Sequence, residues 1–342
     1  MKISRILRVT IPLLVIIFLA LILVPRTYKV PPKAFREGTQ FWNLPTGSKI
    51  AYTHISAKGL KKPFPIIFLQ GGPGGPIYNS NIKLLSNLAD DGFDVYLYDQ
   101  IGCGFSGRLK NIEDYSVNRH KKDLEEIVKQ LGAQKIILIA QSWGAILATF
   151  YIADNCDKVD RVILTGPGPL FPVNYELEKI SPPDSLHLRE PLYTNRQGRI
   201  ETYNIRARVV EAVAKTFNFK LASDSEMDDF STILNYRMGK STVCDTSFKD
   251  VMENGSGYYS MIKTMQSLNN VTDQRPKLKE CKVPILIMRG QCDGIEWGYI
   301  TEYLKVFSNS KLIIIPDAGH SIGKEQPVRY IETAREFLTK EF

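Results

Sequence analysis

The sequence predicts an α/β protein in which a mostly parallel central sheet is flanked by helices. Short runs of β-branched and other apolar residues alternate with stretches of helical periodicity, which is typical of parallel strands joined by crossover helices. One helical pattern ends at Leu131, and Gly132 follows it as a stop signal. The six clearest strand-like runs cover residues 65–69, 93–98, 135–140, 161–165, 284–288 and 311–315.

Two other segments complete the predicted fold. Residues 40–55 alternate in polarity around a Pro-Thr-Gly turn, which predicts an antiparallel hairpin at the sheet edge. The strand–helix alternation stops after Thr165 and resumes at Pro284, and the residues between are helical in pattern and rich in Tyr and Phe. We therefore expect a mainly helical cap, inserted at residues 171–281, and a core formed by residues 38–170 and 282–342.

The N-terminus predicts a membrane anchor over residues 1–25. Cations at positions 2, 5 and 8 precede an apolar run from Val9 to Val24, and the stretch from Ile6 to Pro25 is long enough for a helix of about 30 Å that would cross a bilayer. A secretory signal peptide is the alternative, but no small-residue cleavage site follows. Residues 26–37 are proline-rich and predict a short stiff linker. Positive charges flank both ends almost equally and do not decide the orientation. We take an exported, extracytoplasmic catalytic domain as the default.

Composition excludes several classes of function. The 342 residues carry a net charge of +8, but the cations are spread along the chain and no nucleic-acid-binding motif is present, so we expect no nucleic-acid partner. The five cysteines are scattered, odd in number and lack CxxC spacing, so neither a disulfide framework nor a zinc site is expected. We predict no metal and no cofactor, and the oligomeric state is left open.

Ser142 lies in a sequence typical of a nucleophile elbow. The segment Ala140-Gln141-Ser142-Trp143-Gly144 directly follows a predicted strand and precedes an apolar helix. Such a turn exposes the serine hydroxyl above the sheet. Position 140 is Ala where the elbow usually has Gly, and a serine that merely caps the helix is the alternative interpretation.

A glycine-rich segment follows another strand end. Residues 70–75 read Gln-Gly-Gly-Pro-Gly-Gly, and the backbone N–H groups of Gly72 and Trp143 could form an oxyanion hole. A phosphate-binding loop is the rival interpretation, but the segment lacks both the GK[ST] ending and the GxGxxG order.

Asp293 and His320 supply the other two members of a candidate triad. Each follows a predicted strand, and open α/β sheets place their sites at such strand ends. A serine hydroxyl needs an adjacent base, and the base needs a carboxylate to fix its tautomer. The chain order Ser142, Asp293, His320 is also that of the α/β-hydrolases. Asp317, which is close to His320 in sequence, is the alternative candidate for the acid of the triad.

These residues resemble the proline iminopeptidase (prolyl aminopeptidase) branch of the α/β-hydrolases. The resemblance implies that Ser142, Asp293 and His320 are nucleophile, orienting acid and base, and that Gly72 and Trp143 supply the oxyanion hole. It also implies removal of an N-terminal residue, often proline, from short peptides, with acidic cap side chains holding the free amine. The matching segments are Gly71-Gly72-Pro73-Gly74, Asp99-Gln100-x-Gly102-x-Gly104-x-Ser106, Ser142-Trp143-Gly144, Gly290-x-x-Asp293 and Gly319-His320.

The chain departs from this branch at two positions, Gln70 in place of His and Ile101 in place of Arg. The substrate-binding residues stay unknown, since the acidic residues of the cap are candidates by type only. We therefore expect a membrane-anchored serine hydrolase acting on small peptides. An esterase or lipase for hydrophobic acyl esters is the alternative, and a non-catalytic binding protein is the third hypothesis. The cap candidates are Glu176, Glu178, Glu190, Glu201 and Glu211.

Overall fold

The computed structural model describes the backbone of residues 2–33 and 35–340, and the side chains of these residues except 2–9 and 15. Within the described residues, eight strands form one sheet in the order β1-β2-β4-β3-β5-β6-β7-β8. The strands are β1 (Thr39–Asn43), β2 (Lys49–Ile55), β3 (Ile66–Leu69), β4 (Val95–Tyr98), β5 (Ile136–Gln141), β6 (Val159–Thr165), β7 (Ile285–Gly290) and β8 (Ser310–Ile315).

The sheet is parallel from β4 through to β8, as predicted. Only β1 and β2 run antiparallel to their neighbours, and they form the expected edge hairpin. Alternate residues of β5 pack on opposite faces, with Leu138 in one apolar cluster and Ile137 and Ile139 in the other. A strand buried on both faces has to be apolar throughout, which is why its sequence is a continuous run.

The helices cover both faces of the sheet and build the cap. The long connection between β6 and β7, all of whose residues are described, contains the five helices α5 to α9. The helices are α1 (Lys2–Leu23), α2 (Asn79–Asp90), α3 (Val117–Leu131), α4 (Trp143–Asn155), α5 (Asn195–Thr202), α6 (Ile205–Phe217), α7 (Asp224–Met238), α8 (Tyr258–Ser267), α9 (Arg275–Glu280), α10 (Trp297–Val306), α11 (Ile322–Glu325) and α12 (Pro327–Thr339).

The predicted membrane-spanning helix is not supported. Helix α1 forms at the expected place, yet no helix among the described residues is both long and apolar enough to cross a membrane. A span needs about 20 consecutive apolar residues. The predicted single-pass anchor over residues 1–25, part of which lies outside the described residues, is corrected accordingly.

Residues 26–33 and 35–37, which we call the N-terminal strap, lie against both the core and the cap. The Arg36 guanidinium donates to both carboxylate oxygens of Asp99, at 3.1 and 2.6 Å, and this pair is buried. Lys33 Nζ donates to the carbonyl of Gly104. On the cap side, the ring of Tyr28 packs on Phe230 with centroids 5.6 Å apart. The strap therefore bridges the two parts of the fold.

Two disulfides join segments that are distant in sequence. Cys156 bonds Cys281 across 125 residues, and Cys244 bonds Cys292 across 48 residues. The expectation that no disulfide would form is wrong. The pairing partners become neighbours only through the fold, so spacing rules for short motifs could not reveal them. Cys103 is buried and free.

Candidate active site

Ser142 occupies a strained turn between β5 and α4. Its φ of 54° and ψ of −118° lie in a region that non-glycine residues rarely adopt, as in a nucleophile elbow. The backbone N–H of Ser142 donates to the carbonyl of Thr165 at 2.9 Å and ties the turn to β6. A Cβ at Gly144 would lie 2.0 Å from the carbonyl oxygen of Leu69, so only glycine fits there. Ala140 is fully buried in β5.

Asp293 and His320 form a hydrogen-bonded pair at the ends of β7 and β8. Nδ1 of His320 lies 3.0 Å from Oδ1 of Asp293, whose side chain is buried. The backbone N–H of Ile295 also donates to that oxygen at 3.0 Å. Arg289 Nη2 donates to the Asp293 carbonyl at 2.7 Å and fixes the loop. Because an ionised carboxylate can only accept, Nδ1 carries the proton and Nε2 is free to act as a base.

The electrostatic coupling of this pair favours the charged form of each member. Burial alone would raise the pKa of Asp293, but the His320 imidazole and the Arg289 guanidinium outweigh burial and lower it. Burial alone would lower the pKa of His320, but the Asp293 carboxylate outweighs burial and raises it above its ordinary value. The pair is therefore an ionised acid beside a base of increased proton affinity.

Gly166, directly after β6, lets the pair approach the sheet. An ideal Cβ on Gly166 would lie 2.8 Å from Nδ1 of His320 and 3.0 Å from Oδ2 of Asp293. Its φ of 51° is in the left-handed region that favours glycine. Sequence reasoning did not select this residue. Its position at the C-terminal end of a parallel strand was the signal that could have identified it.

Ser142 and His320 line the same cavity, which has a volume of about 280 Å³. Gly72 also lines it, and its neighbour Gly71 lies against the nucleophile, since an ideal Cβ there would be 3.1 Å from the Ser142 Cβ. Trp143 follows Ser142 as the first residue of α4. The residues of the predicted triad and the segments of the predicted oxyanion hole thus lie around one cavity.

The cap contributes two carboxylates to the cavity that sequence reasoning missed. Asp250 and Glu253 both line it, and both are half-buried. Oε2 of Glu253 accepts hydrogen bonds from the backbone and side chain of Asn79 at 3.0 and 2.8 Å. Asp250 pairs with Lys324. Both carboxylates belong to an irregular segment before α8, where no sequence periodicity indicates which side chains face inward.

The acidic cap residues proposed by type lie elsewhere. None of the five belongs to the cavity lining. Glu176 forms an exposed ion pair with Lys179, and Glu178 accepts from the hydroxyl of Tyr299 at 2.5 Å. Asp317, the alternative candidate for the acid, is exposed and pairs with Arg189 at 2.7 Å instead of with His320. Across the described residues, no cluster of His, Cys, Asp or Glu could hold a metal ion.

A segment of the cap fastens the loops that carry Asp293 and His320. Cys244 is bonded to Cys292, the neighbour of Asp293. Next to His320, the backbone N–H of Ser321 donates to the carbonyl of Thr242 at 2.8 Å. The Glu325 carboxylate accepts from the N–H groups of both Gly319 and Cys244, at 2.6 and 2.8 Å. The cap is therefore part of the support of the candidate acid and base.

Comparison with known proteins agrees with this geometry. The family model described as alpha/beta hydrolase fold matches residues 65–327. A proline iminopeptidase of Lactobacillus helveticus is 35% identical over 301 residues, which cover 84% of this chain and 93% of the relative. One from Saccharolobus solfataricus is 27% identical over 298 residues, covering 85% and 89%.

Solved structures share the fold at low sequence identity. An esterase from Exiguobacterium antarcticum superimposes with a TM-score of 0.57 and 18% identity, covering 88% of this chain and 99% of that one. The family match and the relatives therefore carry the assignment beyond the fold. The chain belongs to the α/β-hydrolases, and within them it is a serine hydrolase of the proline iminopeptidase-like, aminopeptidase-like branch.

Proposed function

We propose that this chain removes the N-terminal residue from short peptides through an acyl-enzyme, and that proline is the leading candidate for that residue. The observation that carries the proposal is the hydrogen-bonded Asp293–His320 pair, whose imidazole lines the same cavity as Ser142 and the two cap carboxylates. The names of the relatives point to the same class of substrate.

In the proposed reaction, Nε2 of His320 takes the proton of Ser142 as Oγ attacks the carbonyl of the first residue. The backbone N–H groups of Gly72 and Trp143 stabilise the charge that develops on the carbonyl oxygen. His320 then passes its proton to the nitrogen of the leaving peptide, and the peptide bond breaks. Water, activated by the same imidazole, hydrolyses the ester and releases the residue.

We propose Glu253, with Asp250 nearby, as the recognition group for the substrate's ammonium. An exopeptidase has to distinguish a charged N-terminus from an internal amide, and a half-buried carboxylate does so through charge-assisted hydrogen bonds. Among the described residues, the two hydrogen bonds to the Glu253 carboxylate both go to Oε2. In Asp250, Oδ2 faces the ammonium of Lys324, so we expect Asp250 to be the weaker of the two.

Replacing Glu253 by glutamine should separate amine recognition from chemistry. Because a hydrogen bond to a charged group contributes about 1.5–3 kcal/mol, kcat/KM for a proline arylamide should fall about 10- to 100-fold in Glu253→Gln. Hydrolysis of a p-nitrophenyl acyl ester, which has no ammonium, should change little. Glu176→Gln, which removes an exposed carboxylate outside the cavity, is the matched control. An equal loss on both substrates in Glu253→Gln would contradict this role.

Covalent labelling tests the nucleophile itself. A fluorophosphonate should label the full chain, and Ser142→Ala should abolish the labelling. His320→Ala should lower kcat by at least about 10³-fold, in line with the loss of other triad members. His54→Ala, which alters a histidine bound to Asp94 at the sheet edge, should stay active. Labelling that survives Ser142→Ala would refute the assignment.

We also propose that the domain works in an oxidising compartment. The support is the pair of disulfides, since such bonds are rare where thiol reductants are abundant. Protein isolated under rapid alkylation should show one free thiol, that of Cys103, after denaturation. Five free thiols would reject the proposal.

A further inference from the structure

Gln100 connects the two segments that carry the proposed oxyanion donors. It lies just beyond the end of β4 and is almost completely buried, with 1% of its surface exposed. Its Oε1 accepts a hydrogen bond from the indole Nε1 of Trp143 at 2.8 Å. Its Nε2 donates to the backbone carbonyl of Gln70 at 2.9 Å. One amide thus links α4, which begins with Trp143, to the start of the glycine segment that contains Gly72.

We infer that Gln100 is a positioning residue for the oxyanion hole, setting the separation between the N–H groups of Gly72 and Trp143. The inference rests on the proposed function only as far as acyl transfer at Ser142. It does not depend on peptide substrates or on a free amine.

The chemistry of the two partners allows few side chains at position 100. The indole N–H of Trp143 can only donate, and the carbonyl of Gln70 can only accept. The bridging side chain has to offer an acceptor and a donor at once, which an amide does without any charge. An ionised carboxylate has no proton to donate, and an alkyl side chain offers neither group. The partners also fix the orientation of the amide, with Oε1 toward Trp143.

The glycines of this segment need such external support, because they restrict their own backbone only weakly. Gly72 has a φ of 128°, and glycines carry no Cβ that would restrict neighbouring conformations. Two residues beyond the segment, the N–H of Ile77 donates to Oδ1 of Asp99 at 2.8 Å. Two consecutive residues after β4, Asp99 and Gln100, therefore hold the chain on either side of the glycines.

The position of this segment matters for rate more than for binding. Oxyanion donors have to lie about 2.7–3.1 Å from the oxygen that becomes charged in the transition state. A displacement of about 1 Å at a reacting group can cost about 10²-fold in rate. If Gln100 no longer bridged the two segments, the separation of the donors would change while the substrate-binding side of the cavity would stay intact.

The test is Gln100→Met in the full chain, which keeps the volume and removes both hydrogen bonds. We expect kcat to fall about 10- to 100-fold while KM changes by less than about 3-fold. The affinity for phenylboronic acid, whose Ser142 adduct places an oxygen in the oxyanion hole, should fall by a similar factor. Ser48→Ala is the matched control. It removes a buried hydrogen bond to Asp123 in the edge hairpin and should leave kcat unchanged even if the melting temperature drops.

The outcomes separate this inference from the proposed function. If the wild type hydrolyses only p-nitrophenyl esters, the same comparison is made on esters, because they use the same oxyanion hole. If Gln100→Met does not fold, Trp143→Phe removes the indole N–H together with the five-membered ring that carries it, and should lower kcat about 3- to 10-fold. A folded variant with wild-type kcat and boronate affinity would overturn the role of Gln100. A wild type that a fluorophosphonate does not label at Ser142 would overturn the proposed function first.

Discussion

The imidazole of His320 has to be neutral before it can accept the Ser142 proton, so activity should rise with pH as this group deprotonates. The Asp293 carboxylate raises the pKa of His320 against the opposing effect of burial. The acidic limb of the kcat/KM profile should therefore have its midpoint above about 6.5, the ordinary value for histidine. Asp293→Asn should move the midpoint down and lower kcat by about 10⁴-fold, because it also loses control of the tautomer.

Two other buried groups help to assign this limb. Burial lowers the pKa of His120 to about 3, so His120 stays neutral across the profile. Burial raises the pKa of Asp228 to about 6, despite the opposing Arg108, so Asp228 titrates near the same range. Asp228→Asn is therefore the control and should leave the midpoint in place. A wild-type midpoint below 6.5, or one that Asp293→Asn does not move, would contradict the assignment.

At this scale the sequence could predict the residues whose context is local. Ser142 was identifiable from a strand, a turn and a helix within one short segment, and His320 and Asp293 from their positions after strands. Gly166 and Gln100 also follow strands, but their proposed roles, like that of Glu253, could not be read from the sequence. Their roles depend on side chains more than 20 residues away in sequence, such as Trp143 for Gln100 and Asn79 for Glu253.

The N-terminal strap contributes a buried ion pair that joins it to the core, and that pair predicts a stability effect. Asp99 is completely buried, and Arg36 neutralises its carboxylate through two hydrogen bonds. Removing one member of a buried pair leaves the other charged and unpaired, at a cost of about 3–5 kcal/mol. Arg36→Met should therefore lower the free energy of unfolding in urea by about that amount.

Arg335→Met is the matched control for this prediction, because the Arg335–Asp91 pair has a similar distance of 2.6 Å but is partly exposed. Exposed pairs contribute about 0–1 kcal/mol. Equal effects of the two substitutions would mean that burial of the Arg36–Asp99 pair has no energetic consequence.

Elements with strong periodicity were predictable, and elements defined by long-range contacts were not. The buried strands and the edge hairpin follow from local apolar patterns, and β5 and β7 lie within a residue or two of the expected bounds. The contacts of the strap with both core and cap carry no such pattern. The inward-facing carboxylates of the cap belong to an irregular segment, where neither the helical nor the strand period applies.

Across the whole molecule, the disulfides close two long loops and should make stability depend on redox state. One joins the C-terminal end of α4 to the chain just before β7, and the other fastens the cap beside Asp293. Removal of a native disulfide typically costs about 2–5 kcal/mol. A strong reductant should therefore lower the melting temperature by about 5–10 °C. Cys103→Ser should show the same decrease in melting temperature. A wild-type melting temperature that reductant does not change would contradict the prediction.

The whole-molecule assignment depends on whether the cavity selects a free N-terminus. The most direct measurement compares turnover of proline arylamide by the full chain with turnover of its N-acetylated form and of short p-nitrophenyl acyl esters. We predict cleavage of the free-amine arylamide and loss of that cleavage on acetylation, because the carboxylates of Glu253 and Asp250 would lose their cationic partner. Ester hydrolysis without arylamide cleavage, or equal cleavage of the acetylated compound, would contradict the aminopeptidase account while leaving the triad in place.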